Sequence, residues 1–276
     1  MQFNNTNGAV KSPIDIRDYT INAIQDLPNE FQLHTPAIKN QGSESTCVAH
    51  ALSSVIEYHY ERQHDSKKKF STDFIYGYRN LGYYIGDGMV IRDALKTVQK
   101  VGDTYKTDCS GNSDYQTAMK KVSDNKENLV KLAYPHRITS YVNLKSEQEI
   151  KTALYTTGPV IISMNWHNGY KLVNDVYTYK TGAQYGRHCV MIYGWNETGW
   201  LIQNSWGAAW AKDGRFILPY DFKINEAWGI VDNIQDSELI DINVPTTNAF
   251  LNFLSKCYNK LANFIIKIID TFKANK

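Results

Sequence analysis

The hydrophobic period of this chain changes partway along, and that change restricts the fold more than any other feature. From the start of the segment "CVAHALSSVIEYHY", apolar residues recur at Val48, Leu52, Val55 and Ile56, ending in the charged "ERQHDSKKK". Steps of three and four put such residues on one face of a helix. Ile91 to Val101 repeats the pattern, with Gly102 standing where a helix C-cap belongs. Ser146 with Glu149 forms a capping box for a helix over about residues 147–157. Beyond it, "GPVIISM", "RHCVMIYGW", "GWLIQNSW" and "GRFILPY" are short β runs separated by Gly and Asn. The expected fold is therefore α+β: a helical half followed by a twisted antiparallel sheet or small barrel.

Composition is compatible with such a core. Of 276 residues, 42% are hydrophobic and 21% charged, the balance of a globular chain. Nineteen tyrosines against seven prolines argue against a disordered chain. A net charge of +2 gives no global pull toward nucleic acid or acidic substrates. The opening "MQFNNTNGAVKS" lacks the charged start and apolar run of a secretory signal. No stretch is apolar for long enough to span a bilayer. The expectation is a protein that is cytoplasmic at synthesis. Cys47, Cys109, Cys189 and Cys257 are too scattered for a disulfide framework or a CxxC metal site, and no metal or cofactor is expected.

Cys47 opens the first amphipathic stretch. A cysteine there meets the positive end of the helix dipole and unpaired backbone amides, which favour thiolate over thiol. The expectation is a lowered pKa. A lone cysteine is more often a small buried hydrophobe, so the case depends on the segments around it.

Four segments supply that company. "QGSESTC" resembles the glutamine-to-cysteine segment of the papain family, with six residues from Gln41 to Cys47. "GPVIISM" is similar to the strand that enters that family's β half, and "GRHCVMIYGW" to its histidine strand. "WLIQNSWGAAWAKDGRF" resembles its asparagine segment, including Trp206, Trp210 and Gly214, with His188 and Asn204 sixteen apart. The resemblance covers roughly residues 36–232, with the four blocks in order.

What this resemblance implies is a two-lobed papain-like fold and a cysteine peptidase acting on peptides or proteins. Cys47 would be the nucleophile and His188 its general base and acid. Asn204 would orient the imidazole, with Trp206 shielding their hydrogen bond. Gln41 would donate its side-chain amide to the oxyanion beside the Cys47 N–H. "GDGMVIRDAL" resembles the glycine-rich strip along the substrate cleft, which makes Gly86, Asp87, Gly88 and Met89 substrate-binding candidates. The other reading of that strip is an ordinary turn before a helix. Rival functions keep the same thioester: an acyl transferase or ligase, or an amidase for small molecules. A non-catalytic binding module is the alternative from another class.

The chain departs from the family at several places. Glu44 replaces a second cysteine, Val48 replaces a tryptophan, and His50 occupies an aromatic position. His50 is expected to be a buried, hydrogen-bonded histidine. Arg187 precedes the catalytic histidine and is expected to oppose its protonation. His34, His59, His64, His136 and His167 read as surface or satisfied core residues, with solvent exposure expected for His59 and His64.

The expected division is an N-terminal arm over 1–28, a helical lobe over 29–128, a β lobe over 129–243 and an amphipathic helix over 244–276. The arm either packs as structure, which is slightly favoured, or lies over the cleft. Phe250, Leu254, Cys257, Leu261, Ile265, Ile268 and Phe272 share one helical face in the last segment. Residues 246–275 are expected to pack on this chain or a second copy. A sharper reading is peripheral contact with an anionic membrane, because Lys256, Lys260, Lys267, Lys273 and Lys276 outnumber Asp270.

Overall fold

The computed structural model describes residues 8–15, 18–79, 86–179 and 184–232. These belong to one unit, Met1–Ile234. The proposed helix over 244–276 and Cys257 lie outside the described residues.

Two short strands, β1 (Ala9–Val10) and β2 (Phe31–Gln32), precede the helical half. Helix α1 spans Cys47–His64 and is buried nearly all round as far as His59. It is thus a central helix rather than a half-exposed one. α2 (Thr72–Gly77) follows, started by the Ser71 hydroxyl, which accepts from the Phe74 N–H at 2.9 Å. Next come β3 (Met89–Val90) and α3 (Ile91–Lys100). Gly102 closes α3 as expected: its φ is +91° and its N–H donates to the Val98 carbonyl at 2.9 Å. α4 (Tyr115–Asp124) and α5 (Lys126–Ala133) complete this half.

The β half begins with β4 (Ser140–Leu144) and α6 (Glu147–Thr156). The Ser146 hydroxyl accepts from the Glu149 N–H at 3.2 Å, while Glu149 accepts from the Lys145 N–H at 2.7 Å. The reciprocal bond therefore lands one residue earlier than a capping box places it. β5 (Val160–His167), β6 (Lys171–Val173), β7 (Val176–Thr178) and β8 (Gln184–Trp195) follow. β9 (Gly199–Gln203), β10 (Arg215–Pro219) and β11 (Ile224–Val231) finish the sheet. Its order is β4-β11-β5-β8-β9-β10-β7-β6, with β2 also paired to β8. Only the β10–β7 pairing among these is parallel.

Strand β8 separates two cores by simple alternation. Cys189, Met191 and Tyr193 face a cluster with Cys47, Leu52, Val55, Leu95 and Trp228. Val190 and Ile192 face the interior of the curled sheet with Trp166, Trp200, Ile202 and Phe216. This places the helical half on one side of the histidine strand.

The central position of α1 corrects one expectation. His59 is not solvent-exposed but 1% exposed, and neither ring nitrogen has a hydrogen-bond partner among the described residues. Burial lowers its pKa to about 3. His64 is exposed, as is His34. His136 is satisfied through the Asp103 carbonyl and the Tyr105 hydroxyl, each at 3.1 Å. The half-buried His167 stacks on Tyr179 at 3.9 Å.

Candidate active site

The site is assembled where the first turn of α1 meets β8. The Thr46 side chain makes no capping bond at the start of α1. The Cys47 sulfur instead lies against its own N–H, the Val48 N–H and, from across the cleft, the Cys189 N–H. All three favour thiolate, as the helix position suggested. They do not win here: Cys47 is 0% exposed, and burial pushes its thiol up to about 11. The expected lowered pKa is thus overturned in this closed arrangement, because desolvation outweighs the amides.

The tautomer of His188 follows from its neighbours. Asn204 Oδ1 accepts from the Ser205 backbone N–H at 2.8 Å, and a backbone amide can only donate, so this atom is the oxygen. The same oxygen lies 2.7 Å from His188 Nε2, which must therefore carry a proton. In neutral imidazole this makes Nδ1 the acceptor. Trp206 stacks on the ring at 4.8 Å and 29°, and Trp166 meets it edge-on at 5.4 Å. Trp206 thus stands where the shield was expected, and Trp166 adds a second wall that no motif had singled out. Burial lowers the His188 pKa to about 4, opposed by the bond to Asn204. The expected opposition to protonation came from Arg187; burial is its cause here.

Gln41 is buried and held at both ends of its amide. Its Oε1 accepts from the Ser205 hydroxyl at 2.6 Å, and its Nε2 donates to the Glu44 carbonyl at 2.8 Å. Its backbone N–H donates to the Ser205 carbonyl at 2.8 Å. Ser205 therefore positions both Gln41 and Asn204, although in the sequence it appeared only as part of "NSWG". His50 is buried as expected, with Nδ1 3.0 Å from the Thr46 carbonyl.

The glycine strip forms one bank of the cleft, and the N-terminal arm occupies it. β1 pairs in parallel with β3, Ala9 opposite Met89 and Val10 opposite Val90. The Met89 N–H donates to the Gly8 carbonyl at 2.9 Å. On the opposite bank Gly8 bridges to Arg187. A Cβ on Gly8 would lie 2.1 Å from the Arg187 carbonyl oxygen and 3.9 Å from Cys47 Sγ, and its φ is +92°. A Cβ on Gly88 would lie 2.3 Å from the Gly8 oxygen. These two glycines admit backbone directly over Cys47, and Cys47 and His188 are both 0% exposed beneath it. Met89 is buried, while the exposed Asp87 contributes its carbonyl to the Tyr76 hydroxyl at 2.6 Å. Arg79 donates to the carbonyls of Gly86 and Gly88, fixing the strip from behind.

Farther along, the arm is pinned by polar contacts. Asp18 pairs with the buried Arg92 and accepts from Asn143 Nδ2 at 3.2 Å. The Asn143 N–H donates to the Tyr19 carbonyl at 2.9 Å. The arm therefore both covers the cleft and packs as structure, which the sequence had posed as alternatives. No group of three or more metal-ligating side chains occurs among the described residues.

Cys47 at the N-terminus of a central helix, the strand after His188 passing its sulfur, and a bonded histidine–asparagine pair, between a helical half and a largely antiparallel sheet, are the features of the papain class of cysteine proteases. The chain belongs to the papain family of cysteine proteases, whose sequence profile matches residues 27–232. Among solved structures it is similar to xylellain, a cysteine protease from Xylella fastidiosa. That match has a TM-score of 0.72 and 25% identity, over 85% of this chain and 98% of that one. Among curated proteins, cathepsin B-like cysteine proteinase 5 of Caenorhabditis elegans is 35% identical over 83 residues, 28% of this chain and 24% of that protein. A cysteine protease of Blomia tropicalis is 26% identical over 227 residues, 75% of this chain and 63% of that protein.

Proposed function

We propose that this chain hydrolyses peptide bonds through a Cys47 acyl-enzyme. The observation that carries the reading is the doubly determined Asn204 oxygen, which leaves His188 with an acceptor Nδ1, one residue before the Cys189 N–H that lies against the Cys47 sulfur. In the uncovered site Nδ1 takes the Cys47 proton, and the thiolate attacks the substrate carbonyl. The oxyanion draws on the Cys47 N–H and the second N–H of the Gln41 amide. His188 then protonates the leaving amine and activates the water that releases the acyl group. Asn204 accepts from the imidazolium throughout, and Trp206 and Trp166 keep water from that bond.

The arm-covered arrangement is the resting form in this reading, since a substrate backbone and Gly8 cannot share the space over Cys47. An irreversible thiol-directed epoxide tests the assignment. Mass spectrometry should place one label on Cys47, with peptidase activity lost in proportion. Wild-type activity in Cys47→Ala would sink it. Adding an amine acceptor separates the rivals: a hydrolase releases free acid, whereas an acyl transferase yields the new amide. Turnover of small amides without turnover of peptides would identify an amidase. Absence of any turnover with an intact fold would favour a binding module.

A further inference from the structure

The residue after the catalytic histidine is a second free cysteine that the peptidase mechanism does not use. We propose that Cys189 is a resolving thiol, which captures oxidised Cys47 as a reversible disulfide and protects the nucleophile from permanent oxidation. The inference rests on Cys47 being the reactive thiol of the proposed peptidase.

Three observations bring the two side chains together. First, the backbone N–H of Cys189 lies against the Cys47 sulfur. The Cys189 sulfur is only three covalent bonds from that nitrogen. Second, the alternation of β8 directs Cys189 toward α1. Cys189, Met191 and Tyr193 share the cluster that contains Cys47, whereas Val190 and Ile192 face the other core. Third, the surroundings leave Cys189 without another chemical task. It is 0% exposed, pairs with Ser163 across the sheet, and lies in no group of three or more metal-ligating side chains among the described residues. Burial first, and then negative charge on Cys47 or Glu226, raises the cost of ionising Cys189, which keeps it a thiol and agrees with the closeness of Cys47.

The chemistry balances with a hydroperoxide as the oxidant. Once the arm is displaced, the Cys47 thiol is oxidised to sulfenic acid while the peroxide is reduced to an alcohol or water. The Cys189 sulfur then attacks the Cys47 sulfur, an S–S bond forms, and the S–O bond breaks. The hydroxide leaving group takes the Cys189 proton and departs as water. An external dithiol restores both thiols. Without Cys189, sulfenic acid can proceed to sulfinic and sulfonic acids, which thiols do not reverse.

The test uses the full chain at low concentration. The protein is exposed to hydrogen peroxide, denatured with iodoacetamide to block remaining thiols, and digested with trypsin without reductant. The expected product is the peptide containing Cys47 joined to the peptide containing Cys189, from a band that stays monomeric on a non-reducing gel. Dithiothreitol should then restore most peptidase activity in the wild type, and at least tenfold less in Cys189→Ala treated identically. Absence of the linked pair, a link through Cys109 instead, or an interchain link would overturn the proposal. So would equal recovery in Cys189→Ala. Should that variant not fold, the linked pair in the wild type decides alone. Epoxide labelling of Cys47 with normal peptide turnover, but no linked pair, would defeat this proposal and leave the peptidase reading standing. A linked pair in a protein without turnover would do the reverse.

Discussion

His188 illustrates how much one side chain depends on its immediate partners. The Ser205 N–H identifies the Asn204 oxygen, and that oxygen selects the imidazole tautomer. Cys47→Ala and His188→Ala should each abolish peptide turnover with the circular dichroism spectrum unchanged. The double variant should be little worse than either single, because the two groups act as one unit. Gln41→Ala should lower kcat by roughly 10²–10³, the effect of one lost oxyanion donor. A change confined to KM would make Gln41 a substrate-binding residue instead. The buried histidines give a second prediction. Burial holds His50 and His188 near pKa 4 and His59 near 3, against an ordinary 6.5. Well above pH 6.5 these groups are neutral folded and unfolded. Below it the unfolded chain takes up protons that the folded chain refuses, so stability falls as pH drops toward 4. The loss is at most about 1.4 kcal/mol per pH unit for each histidine. Urea midpoints at pH 7, 6 and 5 should decline, and His59→Phe should flatten that decline.

At the scale of elements, the arm is where strand pairing and chemistry compete. β1 adds to β3 and lays Gly8 over the sulfur, and only a residue without a Cβ fits between the Arg187 carbonyl and Cys47. Gly8→Val should therefore expel the arm from the cleft without disturbing the Asp18–Arg92 anchor. The expected outcome is faster alkylation of Cys47 and a thiol titration shifted below the covered value of about 11. Unchanged rate and titration would mean that the arm is not what seals the thiol. Deleting residues 1–12 should likewise raise activity on small peptides. Deletion through Tyr19 should also lower the thermal midpoint, since it removes Asp18 from Arg92 and Asn143. The sequence could not separate these roles, because "SPIDIRDYT" has too few apolar residues to reveal a packed face. Its anchors are instead single polar contacts to residues 74 and 125 positions away.

Across the whole molecule, the remaining question is the segment beyond the sheet. Among the described residues no helix is long and apolar enough to cross a membrane. A chain truncated after Val244 tests the reading of residues 246–275. If their apolar face packs on this chain or a second copy, truncation should cause aggregation, a lower thermal midpoint or a changed oligomeric state. If the lysines serve an anionic membrane, the truncated chain should stay folded and active but no longer sediment with anionic liposomes. No change in either measurement would leave the segment a passive appendage.

The sequence by itself determined the two-part architecture, because a switch from helical to alternating period cannot be satisfied by one kind of layer. It also singled out Cys47, His188, Asn204, Gln41 and Trp206 as candidates, because their local segments are distinctive in type and spacing. Tertiary structure alone decided the rest. The burial of His59 depends on what packs on the outer side of α1, which the residues of α1 do not specify. Ser205 and Trp166 gained their places only when β5, β8 and the loop after β9 converged. The ionisation of Cys47 was decided the same way. Helix amides favour the thiolate locally, but the surroundings closed over the sulfur, Gly8 among them, exclude water, and desolvation is a property of the assembled surroundings rather than of the residue.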